Sequence, residues 1–112
     1  MTKYHSEHTW VRIENDTAFV GITVHAQETL GDIVFVELAE IGKSFEQASV
    51  AGVVESVKAA ADVHMPVSAT VIAVNEELRA DPSLANSDPM GAGWFFKVRL
   101  SNSAELDALM DE

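Results

Sequence analysis

The sequence predicts a mainly β fold, a compact antiparallel sandwich or barrel of short strands with small peripheral helices. Three observations carry that expectation. Short alternating or β-branched runs recur along the chain, and turn-forming residues separate them. No regular strand–helix–strand alternation of the parallel-sheet kind appears. The 112 residues suit one domain over 1–112, and 47% hydrophobic against 22% charged residues leaves enough apolar side chain for a core.

Residues 9–13 alternate, placing Trp10 and Arg12 on one face and Thr9, Val11 and Ile13 on the other. Glu14, Asn15 and Asp16 are turn formers, and 17–22 completes a hairpin. Thr23 is placed to cap a short helix over Val24–Leu30 that Gly31 ends. Two turns of helix need tertiary packing to persist. Ile33–Leu38 is almost wholly apolar, which predicts burial on both faces or a central place in a sandwich. Residues 50–57 and 63–67 are β-rich and flank Lys58-Ala59-Ala60-Ala61-Asp62, with Pro66 confining its strand to an edge or an end. A strand follows over 70–74. Residues 75–93 hold two Asp-Pro pairs, Gly91 and Gly93, predicting a long loop with at most one helical turn near 83–86. The last strand is expected over 94–100. Asn102 is placed to cap a closing helix, with Glu105 as capping-box partner and Leu106, Leu109 and Met110 as its apolar stripe.

Composition then narrows function. Eighteen acids against seven bases give a formal charge of −11, which opposes nucleic-acid binding, since phosphate contact needs clustered Lys and Arg. The same charge suits docking on basic partner surfaces, or simply a solvated acidic skin. The absence of cysteine excludes disulfides, thiol catalysis and Cys-type metal sites. No apolar run approaches a membrane span, and no signal pattern follows Met1, so an intracellular setting is expected.

Few residues offer chemistry of their own. Of His5, His8, His25 and His64 only the first two are close in sequence, and H-x-x-H without a third ligand is ordinary surface or packing histidine. There is no G-x-S-x-G elbow. Glu76 and Glu77 are adjacent acids in a polar stretch, solvated rather than opposed for acid–base work. Gly91-Ala92-Gly93 precedes a strand, so it is a bend and not a phosphate cradle. Lys58 stands apart. It is the lone base between Lys43 and Arg79, it falls where two β-rich runs reverse, and three alanines follow it. Small neighbours leave an amine open to acylation by an enzyme, but spacing alone favours an ordinary solubilising lysine.

Beyond spacing, the segment Val53-Val54-Glu55-Ser56-Val57-Lys58-Ala59-Ala60-Ala61-Asp62 resembles the lipoylation hairpin of the H proteins of the glycine cleavage system. Glu7-His8-Thr9-Trp10-Val11 is similar to that family's opening strand, and the block from Gly21 through Leu38 to its longest shared stretch. Pro66-Val67-Ser68, Val74-Asn75-Glu76, Asp88-Pro89, Gly93-Trp94 and Lys97 follow in the family's order. Val57 and Ala59 beside the lysine differ from the Met-Lys-Met of biotin carriers and the Asp-Lys-Ala usual in 2-oxoacid dehydrogenase lipoyl domains.

The resemblance implies a lipoyl/biotinyl-type barrel-sandwich hybrid of short antiparallel strands, with a short internal helix, a lipoylation hairpin at about 53–65 and a C-terminal helix at about 103–110. It implies a non-catalytic shuttle. A lipoyl group on Lys58 would take an aminomethyl group when the P protein decarboxylates glycine. The T protein would pass that unit to tetrahydrofolate, and the L protein would reoxidise the arm. A lipoate-protein ligase, or a lipoyl or octanoyl transferase, would attach the group and recognise Glu55. The loaded arm would fold into a pocket formed by Glu7, Thr9, Thr29 and Asp62, with Asp62 holding the cationic amine. Tethering on a turn replaces free diffusion between active sites by a high effective concentration. The reactive disulfide belongs to the cofactor, so the chain needs no cysteine.

Some positions depart from the family's pattern. Thr9 stands where a glutamate is usual, Ala61 replaces a common serine, and Ala48 and Ala69 stand at turn glycines, which costs about 1 kcal/mol each if φ is positive. The sequence ends at Glu112, where relatives generally continue their last helix. Two other readings accompany the shuttle: a relay donating lipoyl groups to other apoproteins, and an unmodified acidic interaction module. A monomer is expected, in bacterial cytoplasm, or in the mitochondrial matrix if the chain is a processed eukaryotic form. No metal, nucleic acid or membrane partner is expected.

Overall fold

The computed structural model describes residues 2–110, so Met1 and Glu112, where the sequence reading set the limits of the chain, lie outside the described residues. The elements run β1 (Thr2–His5), β2 (Thr9–Glu14), β3 (Thr17–Ile22), α1 (Val24–Leu30), β4 (Ile33–Leu38), β5 (Ser44–Phe45), β6 (Val50–Ser56), β7 (Ala60–His64), β8 (Ala69–Val74), α2 (Glu76–Ala80), α3 (Leu84–Ser87) and β9 (Phe96–Leu100). A closing 3-10 helix spans Ser103–Ala108. Six strands form one sheet in the order β1-β2-β3-β9-β8-β5, and three form a second in the order β4-β6-β7. Every pairing between strands is antiparallel. The mainly β class with few helices is as the sequence predicts.

One hydrophobic cluster joins the two sheets. Val11, Val20, Ile22, Val71, Phe96 and Val98 enter it from the larger sheet, and Ile33, Val36, Val54 and Val63 from the smaller. Gly52 of β6 leaves room for this packing: a methyl there would meet the Glu37 carbonyl of the neighbouring β4 at 2.6 Å and the Phe96 ring of the larger sheet at 3.3 Å. The β2–β3 hairpin turns at Asn15, whose φ of 61° an asparagine tolerates. Its outer face is covered too. Trp10 is fully buried there against Gly21, where a β-carbon would sit 2.8 Å from the indole, and its Nε1 donates to the Pro89 carbonyl at 3.0 Å. Arg12 lies over the Trp10 and Phe19 rings and donates to the Met90 carbonyl.

Several expectations need correction. β4 is not buried on both faces: it is the edge of the three-stranded sheet, and Val34 and Phe35 are 54% and 49% exposed. Residues 75–93 form two helices rather than one turn. Leu78 and Ala85 anchor them in the core, and Glu76 and Glu77 lie in the first turn of α2, where carboxylates favour the helix dipole. Glu76 also pairs with Arg79, so these acids are solvent-side residues as expected. The last strand starts at Phe96, not at 94, and β7 ends at His64, leaving Met65 and Val67 buried outside any strand. The closing helix is 3-10. Asn102 caps it by accepting from the Ala104 N–H, but Glu105 forms no capping box: its carboxylate accepts from Ser68 N–H and Oγ–H instead. Leu106 and Leu109 are buried as expected, whereas Met110 is exposed and bridges Tyr4 through the backbone. The sequence reading missed β1 and β5, both short and both at the edges of their sheet.

Candidate functional site

Lys58 sits at the reversal between β6 and β7. That turn is tighter than the expected five residues. Val57, Lys58 and Ala59 lie outside the strands, while Ala60, Ala61 and Asp62 pair with Glu55, Val54 and Val53. Ser56 supplies the turn chemistry that three alanines lack. Its hydroxyl accepts from the Lys58 and Ala59 N–H groups at 3.2 and 3.0 Å and donates to the Ala59 carbonyl at 3.1 Å. The Ser56 N–H donates to the same carbonyl at 2.7 Å, and Val57 N–H to the Asp32 carbonyl at 3.1 Å. The backbone is thus held on both sides while the lysine itself is exposed. Its stem crosses Gly31, where an added β-carbon would lie 3.3 Å from Lys58 Cε and where φ is 78°. The positive φ is what favours glycine there, since the end of the exposed lysine can move aside.

Behind the hairpin lies a cavity of about 330 Å³. The β1–β2 connection contributes Glu7 and His8, β2 gives Thr9 and β3 gives Ile22. From α1 come His25, Ala26, Thr29 and Leu30, and from the hairpin Val54, Ala61, Asp62 and His64. The structure therefore brings Glu7, Thr9, Thr29 and Asp62 to one cavity on the strands that carry Lys58. Glu55 stands apart from it, exposed between Phe35 and Ala60 across the small sheet.

α1 forms one wall for local reasons. Thr23 caps it, accepting from the Ala26 N–H at 3.2 Å, and Gly31 ends it by donating to the Gln27 carbonyl, as the sequence predicts. Asn86 of α3 secures its end. It donates to Gln27 Oε1 and the Gly31 carbonyl, and accepts from the buried Ile33 N–H at 2.7 Å. Sequence reasoning missed Ser56 and Asn86; a hydroxyl two residues before a turn lysine is a readable signal, a clamp across 53 residues is not.

The histidines are closer than their spacing suggests. The His8 and His25 rings are 4.8 Å apart, and both line the cavity with His64. His64 Nδ1 is 3.9 Å from Glu7 Oε2. Burial lowers the His5 pKa below its ordinary 6.5, Glu7 opposes that shift, and His64 adds to it. No group of three or more metal-ligating side chains occurs among the described residues. Thr9 Oγ1 and His64 Nδ1, on two of the lining residues, are buried with no hydrogen-bond partner among the described residues. Such atoms cost free energy unless something pairs them.

Residues 2–112 match the family model described as glycine cleavage H-protein. The chain belongs to the glycine cleavage H-protein family. It is 59% identical over 110 residues to the glycine cleavage system H protein of Chromobacterium violaceum, covering 97% of this chain and 86% of that one. With the H protein of Neisseria meningitidis serogroup B it shares 58% over 109 residues, 96% of this chain and 85% of the other. Among solved structures, the H protein of Mycobacterium marinum superposes with a TM-score of 0.86 at 33% identity, over 96% of this chain and 94% of that one. Membership makes the chain a lipoyl-type carrier component of glycine cleavage that serves the other proteins of that system and is not itself an enzyme. The barrel-sandwich arrangement implied by the sequence agrees with the superposition.

Proposed function

We propose that this chain, as a single carrier domain, bears a lipoyl group in amide linkage to Lys58 Nζ and shelters the resulting arm in the cavity between α1 and the β6–β7 hairpin. One observation carries the proposal: an exposed lysine tips the hairpin whose strands line a cavity that α1 walls on its other side. The residues fit the group. Ile22, Ala26, Leu30, Val54 and Ala61 offer an apolar wall for its hydrocarbon chain, and Asp62 lies four residues from Lys58, about 13 Å along a strand at most. When attached, the group supplies a reducible disulfide that takes up and yields the aminomethyl unit of glycine.

The chain's own residues do the rest. Ser56 fixes the turn so that Nζ projects from a defined backbone, which lowers the ordering cost for an acylating enzyme. Glu55, exposed on the outer face of the hairpin and away from the cavity, is positioned for a ligase or transferase to read. Glu7 and Asp62 offer negative charge to a cationic end, while Thr9 and Thr29 offer hydroxyls. The P, T and L proteins are the partners of this reading, and a monomer in the cytoplasm suits its bacterial relatives.

Intact mass and peptide mapping after expression with lipoate test the proposal. The expected result is a lipoyl increment confined to the Lys58 peptide, lost together with coupled glycine decarboxylation in Lys58→Ala while the fold is kept. An unmodified Lys58 in cells that lipoylate other proteins would overturn it.

A further inference from the structure

We propose that the outward face of the six-stranded sheet, at Arg12, Phe19, Lys97 and Arg99, docks an acidic surface of one of the proteins that this carrier serves. Register puts Arg12, Phe19 and Lys97 in one row across β2, β3 and β9, and Glu14, Thr17 and Arg99 in the next. The alternate residues Val11, Ala18, Val20 and Val98 are buried in the core, so these two rows face outward. Three of the chain's seven bases thus share one face of a protein with eighteen acids. Glu14 is the single acid of these six residues, and its carboxylate lies 3.7 Å from Arg12 Nε. Lys97 and Arg99 have no ion pair among the described residues. A shortage of acids does not explain that. The face holds positive charge against the sign of the whole molecule.

The middle of the face is aromatic. Arg12 and Lys97 lie over the same Phe19 ring, at 5.3 and 5.4 Å from its centroid, and Trp94 meets that ring edge-on at 5.1 Å. Phe19, Trp94 and Lys97 are half-buried, and Arg99 is exposed. Arginine and aromatic side chains are what protein interfaces enrich at their centres, and none of these residues lines the arm cavity. Carboxylates approaching the row offset the repulsion between two cations that share one ring. Lys97 and Arg99 are alternate residues of one strand, about 7 Å apart, a span matched by acids two apart on a strand or one turn apart on a helix. A nucleic acid is a poorer occupant, because three bases meet few phosphates and the rest of the chain repels the others. The hydrophobic core separates this face from the sheet that carries Lys58, so a partner held here leaves Lys58 uncovered and keeps it at high local concentration.

The test uses the full, unlipoylated chain labelled with ¹⁵N, and a hexaglutamate peptide with blocked ends as probe, at about 0.05 M NaCl where screening is weak. Amide signals should move in β2, β3 and β9 around Phe19, Lys97 and Arg99, and a hexalysine peptide should leave them in place. Lys97→Glu/Arg99→Glu should weaken hexaglutamate binding at least about tenfold, because reversal sets like charges face to face. Lys97→Gln/Arg99→Gln should weaken it less, with thermal midpoints showing both variants folded. Binding to the P, T and L proteins is then measured in turn, and at least one should lose affinity by a similar factor in the reversed variant. Equal affinity of parent and reversed chains for all three, no binding to any of them, or hexaglutamate shifts that lie elsewhere or that added NaCl reproduces, would each overturn the inference. Tighter binding of a thymidine hexanucleotide at the same residues would make the occupant a nucleic acid, and dimers lost on charge reversal would make it a second copy; either overturns the acidic partner. No arm of the test needs the lipoyl group, so an unmodified Lys58 defeats the arm reading and leaves this inference standing.

Discussion

Ala48 holds φ at 71°, in the left-handed region where a β-carbon crowds the backbone. Its place is fixed from outside the link between β5 and β6, because its N–H donates to the Met65 carbonyl at 2.8 Å. The chain therefore cannot relax the residue without losing that bond. Glycine at this position removes the strain and returns part of the gain as unfolded-state entropy. Ala48→Gly should stabilise the protein by about 1 kcal/mol, read as a higher urea midpoint at unchanged slope. A midpoint that stays put would show that the backbone absorbs the strain. Ala69, the other alanine at a family glycine position, is a different case: it lies buried in β8 and is not among the positive-φ residues. The sequence shows both departures alike, and only the backbone separates them. A residue's conformation depends on what its neighbours hold in place, which a single sequence does not print.

At the scale of elements, the legible parts were those whose causes are local. The β2–β3 hairpin, α1 with both caps, and the reversal at Lys58 each follow from residues within a few positions of one another. What escaped is non-local. Ile33–Leu38 reads as a strand buried on both faces because its residues are apolar, yet whether a strand is central or at an edge depends on which partners it finds. Glu7, Thr9, Thr29 and Asp62 were named only through the resemblance, and no spacing rule gathers them into one cavity. Asn86 shows the physical reason, joining α3 to the end of α1 and the start of β4 through three hydrogen bonds. α1 needs that clamp, since it is seven residues long and none of them is fully buried. Asn86→Ala leaves the buried Ile33 N–H without its acceptor, a loss of about 1–3 kcal/mol. Amides of α1 should then exchange faster than those of β3 and β9 in hydrogen-exchange measurements, while Lys58, on a hairpin Asn86 does not touch, remains open to modification. Equal acceleration across the whole chain would mean that α1 is not a separate unit of local opening.

For the whole molecule, the decisive quantity is a formal charge of −11 on 112 residues. Such an excess disfavours the compact state through self-repulsion and favours approach to basic surfaces, so salt acts on the two properties with opposite sign. Around Lys58 the excess is also organised. Register places Phe35, Glu55 and Ala60 in one row across the small sheet and Glu37, Val53 and Asp62 in the next, so Glu37 and Glu55 flank apolar residues away from the cavity, while Asp62 also lines it. On the proposed reading, the cavity side of the hairpin would shelter the arm, and Glu37 and Glu55 would offer charge to the proteins that must reach it. Raising NaCl from about 0.02 to 0.3 M shortens the screening length from roughly 20 Å to below 8 Å. The thermal midpoint should rise by about 4 °C, the equivalent of roughly 1 kcal/mol in a domain of this size. Over the same range the rate of Lys58 acylation by a ligase at sub-saturating protein should fall, since exposed charges act chiefly on association. Reversing the outer charges in Glu37→Lys/Glu55→Lys should weaken the salt dependence of acylation while leaving most of the salt-induced gain in midpoint. If salt lowers the midpoint, or leaves the acylation rate unchanged, the acidic surface is neither a cost to the fold nor a guide to partners.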